Sequence, residues 1–189
     1  MQSVILLNQA QNFDEFREAL RYWDTPSQNV VYADTEGNIG YQAPSRIPIR
    51  ANGSGLVPVP GWTDEYEWTG YIPCDELPTL YNPAQGFIVT ANHAVVDEDY
   101  PYFINHDWAD GDRGLRIETM IREKLAGGGK ISAADIAAIQ FDSKSLPAAA
   151  WVPLLTSLSS DDPQIQAALE RAARLGLPGV AGQCARLAI

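Results

Sequence analysis

Asn92 and His93 stand side by side at the end of an apolar run, in the segment "GFIVTANHAVV" at positions 86–96. The run predicts a strand from Phe87 to Ala91 that delivers a carboxamide where it ends. A carboxamide held in a fixed direction is a neutral donor that can bind the oxyanion formed when a carbonyl is attacked, and losing one such donor typically lowers the rate about 10²- to 10³-fold. Asparagine is also a common turn residue, so both interpretations of Asn92 stay open.

Metal-ligand residue types occur close to that segment. His93 and His106 share the stretch with three carboxylates, Asp97, Asp99 and Asp107. No spacing among them matches a helix-borne histidine pair or a compact zinc pattern, so we expect no metal centre. A hard cation held by the carboxylates is the alternative, although acidic turns are usually solvated. On a strand, His93 would face away from Asn92, and we expect it to be a buried, hydrogen-bonded side chain.

Nucleophilic catalysis from within the chain has no visible motif. There is no G-x-S-x-G pattern, and Cys74 and Cys184 have no catalytic or metal-binding partner pattern. Two ordinary thiols are the expectation for these cysteines, and a disulfide between them stays possible.

An aromatic loop offers a different kind of site. Residues 43–83 are rich in proline, glycine and aromatic side chains, which predicts a loop layer with short edge strands. Trp62, Tyr66, Trp68 and Tyr71 in this loop could stack a flat ligand. Such side chains more often bury a loop against the main sheet, which is the simpler expectation.

Composition excludes several classes of protein. With 189 residues and 46% hydrophobic content, the chain can form one domain or a piece of a larger one. A net charge of −11 and no basic cluster argue against nucleic acid as a partner. No apolar run approaches the ~20 residues needed to cross a bilayer, and the first ten residues lack the features of a signal peptide. We therefore expect no membrane association.

The order of elements predicts an α+β fold, with strands in the first two-thirds and helices in the last third. An Asn12-capped helix that carries Phe13, Phe16, Leu20 and Trp23 comes first. A hairpin of Val30–Ala33 and Ile39–Tyr41 follows. Three later helices are predicted: one with Ile117, Met120, Ile121 and Leu125 that ends at Gly127–Gly129, one capped by Ser132 and Asp135 with Ile136 and Ile139, and one opened by Asp162 and Pro163 with Ile165, Ala168, Leu169 and Ala172 inward.

Three ordered blocks resemble a known family. They are "FREALRYWDTPSQNVVYADTEGNIGYQAPSRIPIR" at 16–50, "LVPVPGWTDEYEWTGYIPCDELPTLYNPAQGFIVTANH" at 56–93 and "DWADGDRGLRIETMI" at 107–121. Together they resemble a central part of the β subunit of penicillin amidases, which are N-terminal nucleophile hydrolases. The similarity runs from about residue 5 to about residue 175, and His93 stands where the family pattern has a second asparagine.

This resemblance implies an amide hydrolase with a four-layer αββα core, made as a precursor that cleaves itself. A new N-terminal serine then attacks the substrate, with its own α-amine as base. The family's oxyanion asparagine matches Asn92, and its orienting arginine matches Arg113. A guanidinium suits that role because it can fix two groups at once. A surface ion pair of Arg113 with Asp110 or Asp112 is the alternative.

The same resemblance shows what the chain is expected to lack. The nucleophile of the family lies upstream of the matching blocks, so we expect that Ser3 is not the nucleophile. Most calcium ligands of the family also lie upstream, so a calcium site near Gly55 would be incomplete. We expect no cofactor. We expect this chain alone to be inactive on a small-molecule amide and to self-associate through exposed sheet edges. The alternative function is a free-standing acidic binding domain that uses the Trp62–Tyr71 loop.

Overall fold

The computed structural model describes residues 1–175, which contain six α-helices, five short strands and two 3-10 turns at Asp64–Tyr66 and Cys74–Glu76. The helices are α1 Gln2–Leu7, α2 Phe13–Leu20, α3 Asp112–Leu125, α4 Ala133–Gln140, α5 Leu146–Thr156 and α6 Pro163–Leu175. The strands are β1 Val30–Ala33, β2 Ile39–Gln42, β3 Pro48–Arg50, β4 Trp68–Tyr71 and β5 Thr79–Tyr81. The chain is therefore α+β.

Two units make up the chain, one spanning residues 1–109 and one beginning at Asp110. All five strands lie in the first unit, and α3 to α6 lie in the second. That residues 1–189 form a single partial domain stays a prediction. Cys184 lies outside the described residues. Through residue 175, no helix combines the length and the apolar character needed to cross a bilayer.

Helix α2 begins where the sequence predicts. The Asn12 side-chain oxygen accepts a hydrogen bond from the Glu15 backbone N–H at 2.9 Å. Glu15 in turn accepts from the backbone N–H of Gln11 at 2.8 Å. These two bonds occupy N–H groups that have no partner within the helix, so the cap fixes the start of α2.

The core of the first unit lies between α2 and a small sheet. Phe13, Phe16 and Leu20 are buried on one face of α2. The Phe13 ring stacks on Tyr81 of β5 with centroids 4.5 Å apart. Gly40 of β2 permits this approach, because a Cβ at that position would lie 2.3 Å from a Phe13 ring carbon. The helix therefore packs directly on the backbone of the central strand.

The predicted hairpin is confirmed as the antiparallel pair β1 and β2, in which Val30 pairs with Gln42 and Ala33 with Ile39. Asp34 closes the turn by accepting hydrogen bonds from the backbone N–H groups of Glu36 and Asn38, each at 2.9 Å. The Asn38 side chain adds a further bond and lowers the pKa of Asp34. Strand β5 joins the other side of β2, which makes the sheet order β1-β2-β5.

The loop region at 43–83 folds into short pieces. Strands β3 and β4 pair antiparallel, with Pro48 opposite Tyr71 and Arg50 opposite Trp68, and the register shifts between Ile49 and Arg50. The strands in this region are three or four residues long. Proline removes ladder donors, which is why longer strands do not form here.

Helices α4 and α6 of the second unit begin as predicted. Ser132 and Asp135 form a complete capping box for α4. The Asp162 carboxylate accepts from the backbone N–H groups of Gln164 and Ile165 at the start of α6. One turn into α3, Arg116 donates two hydrogen bonds of 2.9 Å to Asp142, and this guanidinium lowers the pKa of that carboxyl.

Packing in the second unit differs from the expectation. Of the residues predicted to face inward on α6, Ile165 and Ala168 are exposed, while Leu169 and Ala172 are half-buried. On α4, Ile136 is also exposed and Ile139 is half-buried. Helical period fixes which residues share a face, but it does not fix whether another element covers that face.

Two helices were not predicted. Helix α1 is only six residues long, too short for a periodic signal. Helix α5 contains Pro153 in its interior, which ordinarily argues against a helix. Its start does carry a readable signal, because the Ser145 hydroxyl caps the N–H of Ala148.

Candidate active site

Asn92 occupies a backbone corner rather than the end of a strand. Its φ is 64°, in the left-handed region that asparagine tolerates better than most residues. The preceding Ala91 is buried, and the Asn92 carbonyl accepts a hydrogen bond from the N–H of Ala109 at 3.0 Å. The corner is thus held on both sides, and it turns the chain abruptly after the apolar run.

The predicted strand from Phe87 to Ala91 is wrong, since none of these residues belongs to a strand of the structure. The sheet ends at β5, and Asn82 directly after it has a φ of 45° that turns the chain away. Instead of extending the sheet, Ile88, Val89 and Thr90 line a cavity of about 620 Å³ together with residues of β5. The apolar run in the sequence indicated an ordered segment here, but it did not show whether another strand pairs with that segment.

His93 and Asn92 lie on two different cavities. His93 lines the 620 Å³ cavity, whereas Asn92 lines another of about 470 Å³, which we term the Asn92 cavity. His93 is half-buried, and its Nδ1 atom is buried without a hydrogen-bond partner among residues 1–175. The expectation that His93 is a satisfied polar side chain is therefore wrong.

Two arginines line the Asn92 cavity, and neither was anticipated from the sequence. Arg46 stacks over the Tyr71 ring, with its guanidinium carbon 4.2 Å from the ring centroid. Arg50 lies over Trp68 at 5.9 Å. Their spacing in the sequence could have indicated that they lie together, because residues four apart in an extended segment share a face.

Apolar and polar groups share the rest of this cavity. Ile47, Val95, Ile104 and Trp108 supply apolar surface, and Asn29, Asn105 and Asp107 supply polar groups. A cavity with an apolar wall and a few polar groups is typical of small-molecule sites. This lining can hold a ligand whose polar groups meet the amide and guanidinium side chains.

Arg113 belongs to the second unit, where it is an exposed residue of the first turn of α3. The positive end of the helix dipole disfavours a cation at this position. Helix stability alone therefore does not explain an arginine here. Asn92 lies in the first unit and Arg113 in the second.

The histidine and carboxylate residues near Asn92 have separate environments. His106 shares a 2.9 Å hydrogen bond with the Ser54 hydroxyl, and its ring lies 4.6 Å from that of Phe103. Asp97 accepts from the backbone N–H of Asp99 in an acidic turn. Across the part of the chain that the structure describes, no three His, Cys, Asp or Glu residues group closely enough to hold a metal ion.

Ser3 is buried in α1, and its hydroxyl has no hydrogen-bond partner within residues 1–175. A serine nucleophile needs a base within hydrogen-bond reach. That Ser3 is not the nucleophile stays a prediction.

Comparison with known proteins decides the family. A sequence model described as penicillin amidase matches residues 1–188. The chain belongs to the penicillin amidase family. Among curated relatives, the acyl-homoserine lactone acylase QuiP of Pseudomonas fluorescens (strain Pf0-1) is 38% identical over 136 residues, which is 72% of this chain and 16% of that protein. The penicillin acylase 2 proenzyme of Pseudomonas sp. (strain SE83) is 38% identical over 128 residues, covering 68% of this chain and 16% of the relative.

A solved structure agrees with this assignment. The thermostable penicillin G acylase of Alcaligenes faecalis matches with a TM-score of 0.63 and 27% identity, over 89% of this chain and 31% of that chain. The chain thus spans about a sixth of the length of the curated penicillin amidase relatives it matches. The resemblance read from the sequence blocks is confirmed.

The calcium ligand that the penicillin amidase resemblance places near Gly55 stays a prediction. The Arg50 guanidinium lies against Gly55, with Nη2 3.0 Å from where a Cβ on that glycine would be.

The aromatic loop is exposed, contrary to the expectation that it is buried. Trp62 is 86% exposed and Trp68 is 58% exposed. The alternative interpretation as a binding domain requires these two tryptophans to be exposed, and they are. However, the named relatives are acylases, and they lend that interpretation no support.

Proposed function

We propose that this chain is a segment of an amide hydrolase and that Asn92 supplies the side-chain donor of its oxyanion hole. The observation that carries the proposal is the position of Asn92, on a left-handed corner at the edge of the Asn92 cavity in a penicillin amidase family chain. A corner fixed on both sides sets the direction of the Cα–Cβ bond, and a preorganised donor needs a fixed point of attachment.

The reaction is acyl transfer in two steps. The hydroxyl of an N-terminal serine, supplied by a segment other than this chain, adds to the carbonyl carbon of a small amide and gives its proton to the α-amine. The carbonyl oxygen becomes an oxyanion, to which the Asn92 amide N–H donates. The C–N bond then breaks as the amine leaves with that proton. Water hydrolyses the resulting acyl-enzyme by the same steps in reverse order.

Arg113 is proposed as a positioning residue for these groups. Its planar guanidinium can bond a carboxamide and a chain terminus together, which an ammonium does less well. We further propose that the two small sheets and the helices of this chain are parts of a four-layer αββα core. The family relation and the α+β content support this architecture.

A chimera tests the proposal. The matching 128-residue block of the Pseudomonas penicillin acylase 2 proenzyme is replaced by that of this chain. We expect the chimera to cleave itself and to hydrolyse amides, while the isolated 189-residue chain shows no turnover. Failure of self-cleavage and hydrolysis in the chimera would contradict the proposal, as would turnover by the isolated chain.

Two substitutions in the chimera isolate the role of Arg113. Arg113→Gln should lower kcat about tenfold or more with little change in KM, because orientation acts on the chemical step. Arg113→Lys should recover only a small part of that loss. If lysine restores kcat fully, a general positive charge suffices and the positioning role is wrong.

A further inference from the structure

Residues 93–108 form a loop that leaves the Asn92 corner and returns to it. They contain no helix or strand, and the Ala109 N–H directly after the loop donates to the Asn92 carbonyl at 3.0 Å. Surface loops whose ends meet in this way are packed by their own side chains and are frequently functional. The loop also supplies one wall of the Asn92 cavity, formed by Val95, Ile104, Asn105, Asp107 and Trp108. Whatever holds the loop in place therefore also sets the shape of this cavity.

Two tyrosines of the loop are bonded to one acidic residue. The Tyr100 hydroxyl donates to the Glu76 backbone carbonyl at 2.9 Å, and the Tyr102 hydroxyl donates to the Glu76 carboxylate at 2.5 Å. The second bond is the stronger one, because a hydrogen bond to an ionised acceptor is shorter and about twice as strong as one between neutral groups. It also raises the pKa of Tyr102, since it stabilises the protonated phenol. Glu76 is thus an attachment point for the middle of the loop.

Glu76 lies on a part of the first unit that is itself held in place. It ends a single 3-10 turn, and the next residue, Leu77, is buried. Asp75 in the same turn accepts a 2.6 Å hydrogen bond from the guanidinium of Arg21 at the end of α2. The bond between Tyr102 and Glu76 therefore ties the loop to the turn that is bonded to the core helix of this unit.

The residues that follow this attachment form most of the cavity wall. Ile104 lies two residues after Tyr102, and Trp108 lies directly before the hydrogen bond between Ala109 and Asn92. This part of the wall is therefore held by the tyrosine at one end and by the corner at the other. A short segment that is held at one end alone opens more readily. Losing the tyrosine bond should thus weaken the bond at Ala109 as well.

We propose that Tyr102 is a positioning residue for the Asn92 cavity and that it acts through its hydrogen bond to Glu76. The inference rests on the proposed function, which makes this cavity the binding site of the amide substrate. A cavity wall contacts the substrate in the ground state and in the transition state alike, so loosening it raises KM and leaves kcat nearly unchanged. The corner keeps its other support, the buried Ala91. Loss of the Asn92 amide, by contrast, acts on kcat.

Amide hydrogen exchange of the 189-residue chain tests this bond without any reaction. In Tyr102→Phe and in Glu76→Ala, exchange at the Ala109 N–H should be about tenfold faster, while the amides of α2 keep their rates. The double variant should be no faster than either single variant, because both remove the same bond. Glu76→Gln should lie between, since its carboxamide is a neutral acceptor. Tyr22→Phe and Glu98→Gln are the controls, which remove a hydroxyl and a charge from exposed residues.

Kinetics of the chimera provide the second measurement. Tyr102→Phe should raise KM about fivefold and leave kcat within about twofold of the parent chimera. Unchanged exchange at Ala109, equally faster exchange in α2, additive effects in the double variant, or a lower kcat at unchanged KM would overturn the inference. Faster exchange at Ala109 in an inactive chimera would contradict the proposed function alone. Unchanged exchange at Ala109 in an active chimera would contradict this inference alone.

Discussion

The left-handed conformation of Asn92 predicts an unusual order of stability among substitutions at this position. Glycine adopts a φ of 64° without steric cost, whereas alanine brings its Cβ close to the following carbonyl oxygen. Both substitutions remove the carboxamide, so any bond that the side chain makes is lost equally from both. The difference between Asn92→Gly and Asn92→Ala therefore reports the backbone conformation alone.

The magnitude follows from the cost of the left-handed region. A non-glycine residue there loses about 1–2 kcal/mol, and the greater freedom of glycine in the unfolded chain offsets roughly 0.4–1 kcal/mol of this. We expect Asn92→Gly to be about 1 kcal/mol more stable than Asn92→Ala, which corresponds to about 2–4 °C in Tm for a chain of this size. Urea denaturation of the 189-residue chain, followed by tryptophan fluorescence, measures the difference.

Asn82 provides the matched control, since its φ of 45° also lies in the left-handed region. The Asn82→Gly variant should again be more stable than the Asn82→Ala variant. Both variants should have a free energy of unfolding about 1 kcal/mol or more below that of the parent chain. The reason is that the Asn82 side chain accepts a hydrogen bond from the Ile39 N–H at 2.9 Å and donates one to Asn38 at 2.8 Å. If Asn92→Ala equals or exceeds Asn92→Gly while the Asn82 pair behaves as expected, the corner at Asn92 does not exist as described.

Three further predictions concern the fold and its assembly. Gly40→Ala should lower the free energy of unfolding by about 1–3 kcal/mol, because the new Cβ would lie 2.3 Å from Phe13, while Gly70→Ala, with no atom within 4 Å of its Cβ, should have little effect; equal urea midpoints would contradict this packing. Asp142→Asn should destabilise the second unit by about 1–3 kcal/mol through Arg116, as followed by helical circular dichroism. Folding lowers the pKa of Asp142, so the stabilisation from this carboxylate is complete above its unfolded pKa near 4 and is lost as pH falls through the lower folded pKa. The Asp142→Asn variant should lack that part of the acid unfolding transition. An acid transition equal to that of the parent chain would argue against the ion pair. The edge strands β1 and β5 expose Val31 and Leu80, so light scattering should show mass rising with concentration, and a constant monomer mass would refute association through these edges.

Local signals in the sequence were sufficient for much of the fold. The Asn12 and Ser132 caps and the turn at Asp34 each depend on side chains within four residues of the backbone groups they bind. Such interactions can be read without knowing the tertiary structure, because both partners lie in one short segment. The starts of α2 and α4 and the position of the hairpin turn followed from them.

Non-local features could not be read in this way. The run before Asn92 has the composition of a strand, but a strand also needs a partner, and β5 is followed by a turn that leads the chain elsewhere. Likewise, the sequence does not show that Ile136 and Ile165 lie uncovered on their helices. Pairing and coverage depend on distant parts of the chain, which hydrophobic period does not report.

The candidate site was predictable in part. Asn92 and Arg113 were identified through the family resemblance, and their roles stay predictions. The cluster of Arg46 and Arg50 with Asn92 depends on the three-dimensional approach of β3 to the corner, although the spacing of the two arginines indicated a shared face. His93 was misjudged because its environment depends on residues far away in the sequence.

The rate of acyl-enzyme formation in the chimera shows whether the Asn92 amide stabilises the oxyanion. Under single-turnover conditions, mass spectrometry follows the acylated N-terminal serine in the parent chimera and in its Asn92→Gly variant, which keeps the backbone corner and removes the donor. We expect a fall of about 10²- to 10³-fold in the acylation rate with little change in substrate binding. An acylation rate equal to that of the parent chimera, in a variant that still cleaves itself, would contradict it.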